Sequence, residues 1–178
     1  SKREPSGVGV KPGVYRAELS FGEQSNSVSI EVKSDPRIKV SQASIDQQYA
    51  ASKQLEGYMA ASAAAVKQLV TSQGVLKDYQ KRIKQQDSVK HKDLLKKCSE
   101  ASKEMSKLID LFLGKEDKRQ GIVRNPESTV MTRISTARRY VASRPQGITS
   151  TEKTLLKHAE NETKLGLDKV NQFYKDSW

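Results

Sequence analysis

From Ser41 to about Gln85 the apolar residues recur at spacings of three and four without a break. Ile45, Tyr49, Ser52, Glu56, Met59, Ala63, Val66, Val70 and Gln73 form one stripe, and Leu55, Ser62, Leu69, Leu76 and Ile83 widen it. This spacing keeps one side of an α-helix apolar over many turns. At 1.5 Å per residue the helix is roughly 65 Å long, well beyond the globular average. Gly57 and Gly74 are the places where it would bend. A rod of that length cannot bury its stripe alone, so the rest of the chain must supply partner helices.

Three further helical stretches follow. After a stop at Gln85-Gln86-Asp87-Ser88, a second helix carries Leu95, Cys98, Ser102, Met105, Ile109 and Phe112, and ends at Gly114, where glycine is expected past a helix C-terminus. Lys115 to Asn125 reads as a polar loop. Pro126, Glu127 and Ser128 open a third helix with Val130, Ile134, Ala137 and Val141 as its seam, and Arg144-Pro145-Gln146-Gly147 ends it. Thr149 stands three residues before Glu152, as in a capping box. The fourth helix carries Leu156, Ala159, Thr163, Leu167, Val170 and Tyr174 towards Trp178.

Short or moderate connections favour antiparallel neighbours. The expectation is a mainly α fold, an up-down-up-down four-helix bundle over residues 40–178. Met59, Val66, Leu95, Met105, Ile109, Phe112, Ile134, Val141, Leu167 and Val170 should lie in its core.

Ahead of the bundle the period is two. Tyr15, Ala17, Leu19 and Phe21 alternate with Arg16, Glu18 and Ser20. After the loop Gly22-Glu23-Gln24-Ser25-Asn26, Val28, Ile30 and Val32 alternate with Ser27, Ser29, Glu31 and Lys33. Half-buried strands joined by a polar loop have this pattern. Lys11-Pro12-Gly13 is a turn before the first strand, and Asp35-Pro36 ends the sheet, because proline disfavours a helical residue before it. Two strands alone are marginal in water. The segment 1–39 is therefore expected either to pack on the bundle or to finish a β-sandwich whose other strands lie upstream.

Composition narrows the function classes. A hydrophobic fraction of 35% with 6% aromatics and 30% charged residues suits a thin helical seam with solvated faces. No apolar run is long enough for a transmembrane helix. The start Ser1-Lys2-Arg3-Glu4-Pro5-Ser6-Gly7 lacks the hydrophobic stretch of a signal peptide. Cys98 is a lone thiol at a seam position, unable to form an internal disulfide or a thiolate cluster.

The net charge is +11, and it is densest over Lys77–Lys97, where eight basic residues face three acids for a local +5. Lys77, Lys81, Arg82, Lys84, Lys90, Lys92, Lys96 and Lys97 are the candidate anion-binding surface. Lysines interspersed with Gln, Ser and Asp are also the usual look of a solvated helix face.

The chemistry-bearing constellations are missing. His91 and His158 sit on different helices with no partner at metal spacing. Glu160 and Glu162 follow His158, so the Glu-x-x-His pattern of di-iron bundles is absent, and two apart on a helix they point to different faces. No serine has a nucleophile-elbow context, and no glycine loop precedes a helix as a phosphate cradle would. Asn161-Glu162-Thr163 matches a glycosylation acceptor but lies mid-helix. Tyr140, Phe173, Tyr174 and Trp178 could form an aromatic contact surface, although at helical spacing such residues more often serve a core. No cofactor, metal site or catalytic residue is assigned, and the chain reads as a non-enzyme.

Lys11-Pro12-Gly13-Val14-Tyr15-Arg16-Ala17-Glu18-Leu19, followed by Val32-Lys33-Ser34-Asp35-Pro36-Arg37-Ile38, resembles the C-terminal region of the large secreted BNR-repeat or sortilin-like β-propeller proteins, some of them assigned as glycosyl hydrolases. In that group a small β-sandwich closes with a Pro-Gly-x-Tyr strand and a strand ending in Asp-Pro-Arg, and a helical tail comes next. Gln120-Gly121-Ile122-Val123-Arg124-Asn125-Pro126 and Val170-Asn171-Gln172-Phe173 are similar to that tail. The resemblance implies an extracellular or periplasmic location and an upstream propeller and sandwich as partners. Any hydrolase site would belong to that propeller, so no catalytic residue carries over to this sequence.

The leading expectation is thus a non-catalytic structural or interaction module at the C-terminus of a larger exported β-propeller protein, with another protein as a further partner. The rival is a basic helical module that binds nucleic acid or an anionic surface. Few arginines and only Tyr79 as a stacking aromatic within Lys77–Lys97 count against nucleic acid. A hydrolase that needs this tail is a third reading.

Overall fold

The computed structural model describes residues 7–86, 90–115, 128–144 and 146–177. Two strands come first, β1 (Gly13–Phe21) and β2 (Gln24–Val32), paired antiparallel with Tyr15 opposite Ile30 and Ala17 opposite Val28. The loop is shorter than the sequence pattern predicts. Only Gly22 and Glu23 lie outside the ladder, and Phe21 pairs with Gln24. Gly22 has φ +58° and Glu23 does not have positive φ, the pattern of a type II′ turn, whose twist matches that of the strands.

Four helices follow: α1 (Gln42–Gln86), α2 (Lys92–Leu113), α3 (Val130–Ala142) and α4 (Ser150–Ser177). Ser41 starts α1, its hydroxyl accepting from Ser44 N–H at 3.1 Å and its carbonyl from Ile45 N–H at 3.2 Å. Gly114, with φ +83°, ends α2 and donates its N–H to Asp110 O at 2.7 Å. The third helix opens later than expected. Thr129 is its cap, the Thr129 hydroxyl accepting from Thr132 N–H at 3.1 Å while Thr132 Oγ1 accepts from Thr129 N–H at 2.7 Å. Pro126 and Glu127 lie outside the described residues.

Thr149 caps α4. Glu152 reaches back to accept from Thr149 N–H at 2.8 Å and also from its hydroxyl, the reciprocal half of a capping box. Gly147, with φ +102°, brings the α3–α4 connection onto the start of α1, where a Cβ on it would stand 3.1 Å from Ser44 Cβ.

Named contacts give the direction of each helix. Gln73 on α1 donates to Ser102 O (3.0 Å) and Ser106 Oγ (2.8 Å) on α2. Gln48, much earlier on α1, donates to Val141 O at the end of α3 (2.9 Å). Tyr174 near the end of α4 pairs with Ser72 (2.9 Å). Thus α2 and α3 both run antiparallel to α1, one beside its distal half and the other beside its proximal half, while α4 runs parallel to it. The order is up-down-down-up, not the expected up-down-up-down. In cross-section the fold has three helices, with α2 and α3 stacked end to end on α1 and α4. Gly166 marks their junction, since a Cβ there would meet both Phe112 of α2 and Val130 of α3.

The core stripe of α1 is Ala51, Leu55, Ser62, Ala65, Leu69 and Ser72. Leu55, Ser62 and Leu69 come from the series expected to widen the seam, Ala51, Ala65 and Ser72 from neither expected series, and the stripe is turned one residue from the series expected to lead it. Met59 and Val66 are half-buried flanks, Ala63 is exposed and Val70 is 53% exposed. The physical reason is composition. Leu55 and Leu69 supply the large apolar side chains of the buried series, small Ala and Ser let neighbours approach, and the rival stripe would bury Glu56. On α2 the buried set is Cys98, Met105, Leu108 and Phe112, with Leu95 and Ile109 half-buried. All four predicted α3 residues are fully buried. On α4, Gly166 and Phe173 replace the expected Leu167 and Tyr174.

Candidate interaction surfaces

The strands of the hairpin pair with each other and touch no helix. Alternation gives the ribbon one apolar face, built from Tyr15, Ala17, Leu19 and Phe21 with Val28, Ile30 and Val32. Nothing described here covers it: Leu19 is 78% and Phe21 87% exposed. The opposite face pairs Arg16 with Ser29, Glu18 with Ser27 and Ser20 with Ser25. It carries exposed ion pairs between Arg16 and Glu18 (3.5 Å) and between Lys33 and Glu31 (3.1 Å). One apolar and one polar face is the pattern of an outer sheet in a sandwich.

The arm before β1 is what ties the hairpin to the bundle. Val8 N–H donates to Glu56 Oε1 at 3.3 Å, and Lys11 Nζ lies 2.7 Å from Asp46 Oδ1 and 5.3 Å from the centroid of Tyr49. The hydrogen bond to Asp46 raises the pKa of the Lys11 ammonium above its usual value, and the same bond lowers that of Asp46. Val8, Val10, Pro12, Ile38, Ile45 and Tyr49 line a cleft of about 400 Å³ between arm, linker and α1. In the sequence Lys11-Pro12-Gly13 reads as a turn and as the start of the Pro-Gly-x-Tyr motif, and neither reading places it against α1. The usable signal was the apolar pair Val8 and Val10 just before it, suited to lie on the first turns of α1.

The cationic candidates gather at the other end of the bundle. Lys77, Lys81, Arg82 and Lys84 lie on the last turns of α1, Lys90 precedes α2, and Lys92, Lys96 and Lys97 lie on its first turns. All eight are exposed. Because α1 and α2 are antiparallel, the seven helical ones stand within about 15 Å of the α1–α2 turn along the helix axes. Lys96 lies 4.0 Å from Glu100, at the limit of ion pairing. Beside them Tyr79 is 57% and Leu94 47% exposed. Val75, Leu76, Tyr79, Lys97 and Cys98 share a shallow groove with Ser177 at the end of α4.

Groups that carry chemistry are scattered or occupied. His91 stands at the start of α2, while His158 is exposed on α4. Among the described residues no group of three or more His, Cys, Asp or Glu is placed to hold a metal ion. Glu160 pairs with Lys164 at 2.7 Å. Cys98 is buried.

In the Asn161-Glu162-Thr163 pattern, Thr163 is buried and its hydroxyl donates to Ala159 O at 2.7 Å, so a glycan site there would require the helix to open. Phe173 is buried with Tyr174 edge-on at 5.4 Å, so these two serve the core; Tyr140 is exposed, and Trp178 lies outside the described residues. No described helix is long and apolar enough to cross a membrane. No protein-family model, curated protein or solved structure matches the chain.

Proposed function

We propose that this chain is a non-catalytic interaction module of a larger exported β-propeller protein, in which residues 1–39 complete a β-sandwich and residues 40–178 form the helical tail beyond it. The observation that carries this reading is the hairpin, with a bare apolar face, a polar reverse face and no helix against either. Unpaired strand edges and an uncovered apolar face are complementary to another sheet, which would supply backbone partners and close a layer about 10 Å thick. The Pro-Gly-x-Tyr and Asp-Pro-Arg motifs stand together at the open end of this ribbon, where Gly13 faces Val32, as in the resembling proteins where they close the sandwich. Lys11–Asp46 and Val8–Glu56 then fix the angle at which the bundle leaves the sheet.

The test is hydrogen exchange on this chain and on the gene product extended upstream. Outer-edge amides of β1 and β2 should become protected only in the extended form. Equal, fast exchange in both would remove the sandwich from the account.

A further inference from the structure

We propose that the lysine-rich end of the bundle, formed by the last turns of α1 and the first turns of α2, docks on anionic lipid headgroups. This inference is independent of the role given to the hairpin, which leaves from the opposite end of α1.

Three observations converge on it. The cations are concentrated: Lys77, Lys81, Arg82, Lys84, Lys92, Lys96 and Lys97 project at one tip, where Asp78 and Asp93 are the acids within the same helical turns. They are nearly all lysines. A lysine ammonium is a compact hydrated charge that meets a phosphate from any direction, whereas base-reading and bidentate sites favour arginine. Finally, exposed Tyr79 and Leu94 are interleaved with these charges.

An amphipathic tyrosine and a leucine beside lysines suit the boundary between headgroups and acyl chains. A groove for single-stranded nucleic acid would need a row of stacking aromatics, and Tyr79 alone does not make one. These cations stand on the adjoining ends of two antiparallel helices, so they can meet a planar surface together while the rest of the bundle stands away from it. Each lysine close to an anionic membrane strengthens binding by roughly fivefold, within a screening length of the surface.

The experiment is co-sedimentation of the full chain with vesicles of phosphatidylcholine alone and of phosphatidylcholine mixed with phosphatidylglycerol, at about 50 and 200 mM salt. Lys81→Glu/Arg82→Glu/Lys84→Glu on α1, Lys92→Glu/Lys96→Glu on α2, and Leu94→Ser are run in parallel, each checked for unchanged helical circular dichroism. The residues are exposed, and the two charge reversals sit on different helices, so one unfolded variant leaves the other informative.

The expected result is binding to the anionic vesicles only, weakened more than tenfold by either charge reversal and several-fold by Leu94→Ser at constant charge. Absence of binding to anionic vesicles at the lower salt overturns the proposal, as does binding that both charge reversals leave intact. Single- and double-stranded oligonucleotides form the third arm. Tight binding there that survives the higher salt and fails in the α1 variant reassigns the surface to nucleic acid.

Discussion

Gly166 of α4 lies so close to Phe112 of α2 that a Cβ on the glycine would stand 2.9 Å from Phe112 Cζ. The same Cβ would meet Val130 Cγ2 at 3.3 Å, so a missing side chain is what lets α4 cover the joint between α2 and α3. Glycine inside a helix costs about 1 kcal/mol relative to alanine, and here that cost is offset by close packing of a fully buried phenylalanine.

Gly166→Ala should therefore destabilise the chain by about 1–3 kcal/mol, as overpacking does. Gly57 sits on the same kind of helix with nothing within 4 Å of its notional Cβ. Gly57→Ala should instead stabilise by about 0.5–1 kcal/mol. Urea titrations of both variants decide the matter. Equal shifts in the same direction would show that helix propensity, not the Phe112 contact, governs position 166.

A second prediction tests the register of α1. Leu69 is fully buried and its neighbour Val70 is 53% exposed. Leu69→Ala should cost about 2–5 kcal/mol and Val70→Ala less than about 0.5 kcal/mol. The half-buried Ile109 of α2 should fall between them. If Val70→Ala proves the costlier change, the helix is rotated by one residue from the arrangement described here.

That rotation is also where the sequence was hardest to read. Two series on α1 share the spacing of threes and fours, one through Leu55, Ser62 and Leu69 and the other through Glu56, Ala63 and Val70, and they differ by a single residue. Periodicity finds the helix, with ends at about Ser41 and Gln85 that lie within a residue of the observed ones, but cannot rank two interleaved stripes. The position of Glu56 could have. Helix α3 has one unambiguous stripe, and its four core residues were read directly.

The stacking of α2 on α3 was hidden for a different reason. Connection order says nothing of which half of a long helix each partner takes. The lengths did hold a clue: helices of 22 and 13 residues fit end to end along the 45 of α1. The cationic end was legible because charge needs no partner to be counted. The arm contacts were not, since Val8–Glu56 and Lys11–Asp46 join residues more than thirty positions apart.

The third prediction concerns acid stability. Glu152 is fully buried, with Arg144 Nε 3.4 Å from Oε1. Hydrogen bonds from the Thr149 hydroxyl and N–H hold its carboxyl below the usual glutamate value. A folded-state pKa below the unfolded one means that the unfolded chain binds more protons in the interval between them. The stabilisation is complete above the ordinary glutamate range, near pH 4.3, and is lost as pH falls through the folded-state value. Thermal melts should show the wild type losing stability across that window more steeply than Glu152→Gln. Parallel curves would mean that Glu152 does not titrate differently in the two states.

The last prediction separates the hairpin from the bundle. Among the described residues no strand packs on a helix, and the polar ties from the arm to α1 are the hydrogen bond from Val8 N–H to Glu56 and the pairing of Lys11 with Asp46, with Lys11 also over the Tyr49 ring. Both are at the solvent boundary, where hydrogen bonds and ion pairs contribute little net stability. The bundle core, from Leu55 and Leu69 through Phe112 and Ile134 to Val170, includes no residue before Ala51. A chain consisting of residues 40–178 should therefore keep its helical circular dichroism and melt in one transition, a few degrees lower at most. Its apolar cleft at Ile45 and Tyr49 would be opened to water by loss of Val8 and Val10, which accounts for the direction of that small shift. Loss of the helical signal on truncation would make arm, hairpin and bundle one cooperative unit and would place the boundary elsewhere than Asp35-Pro36.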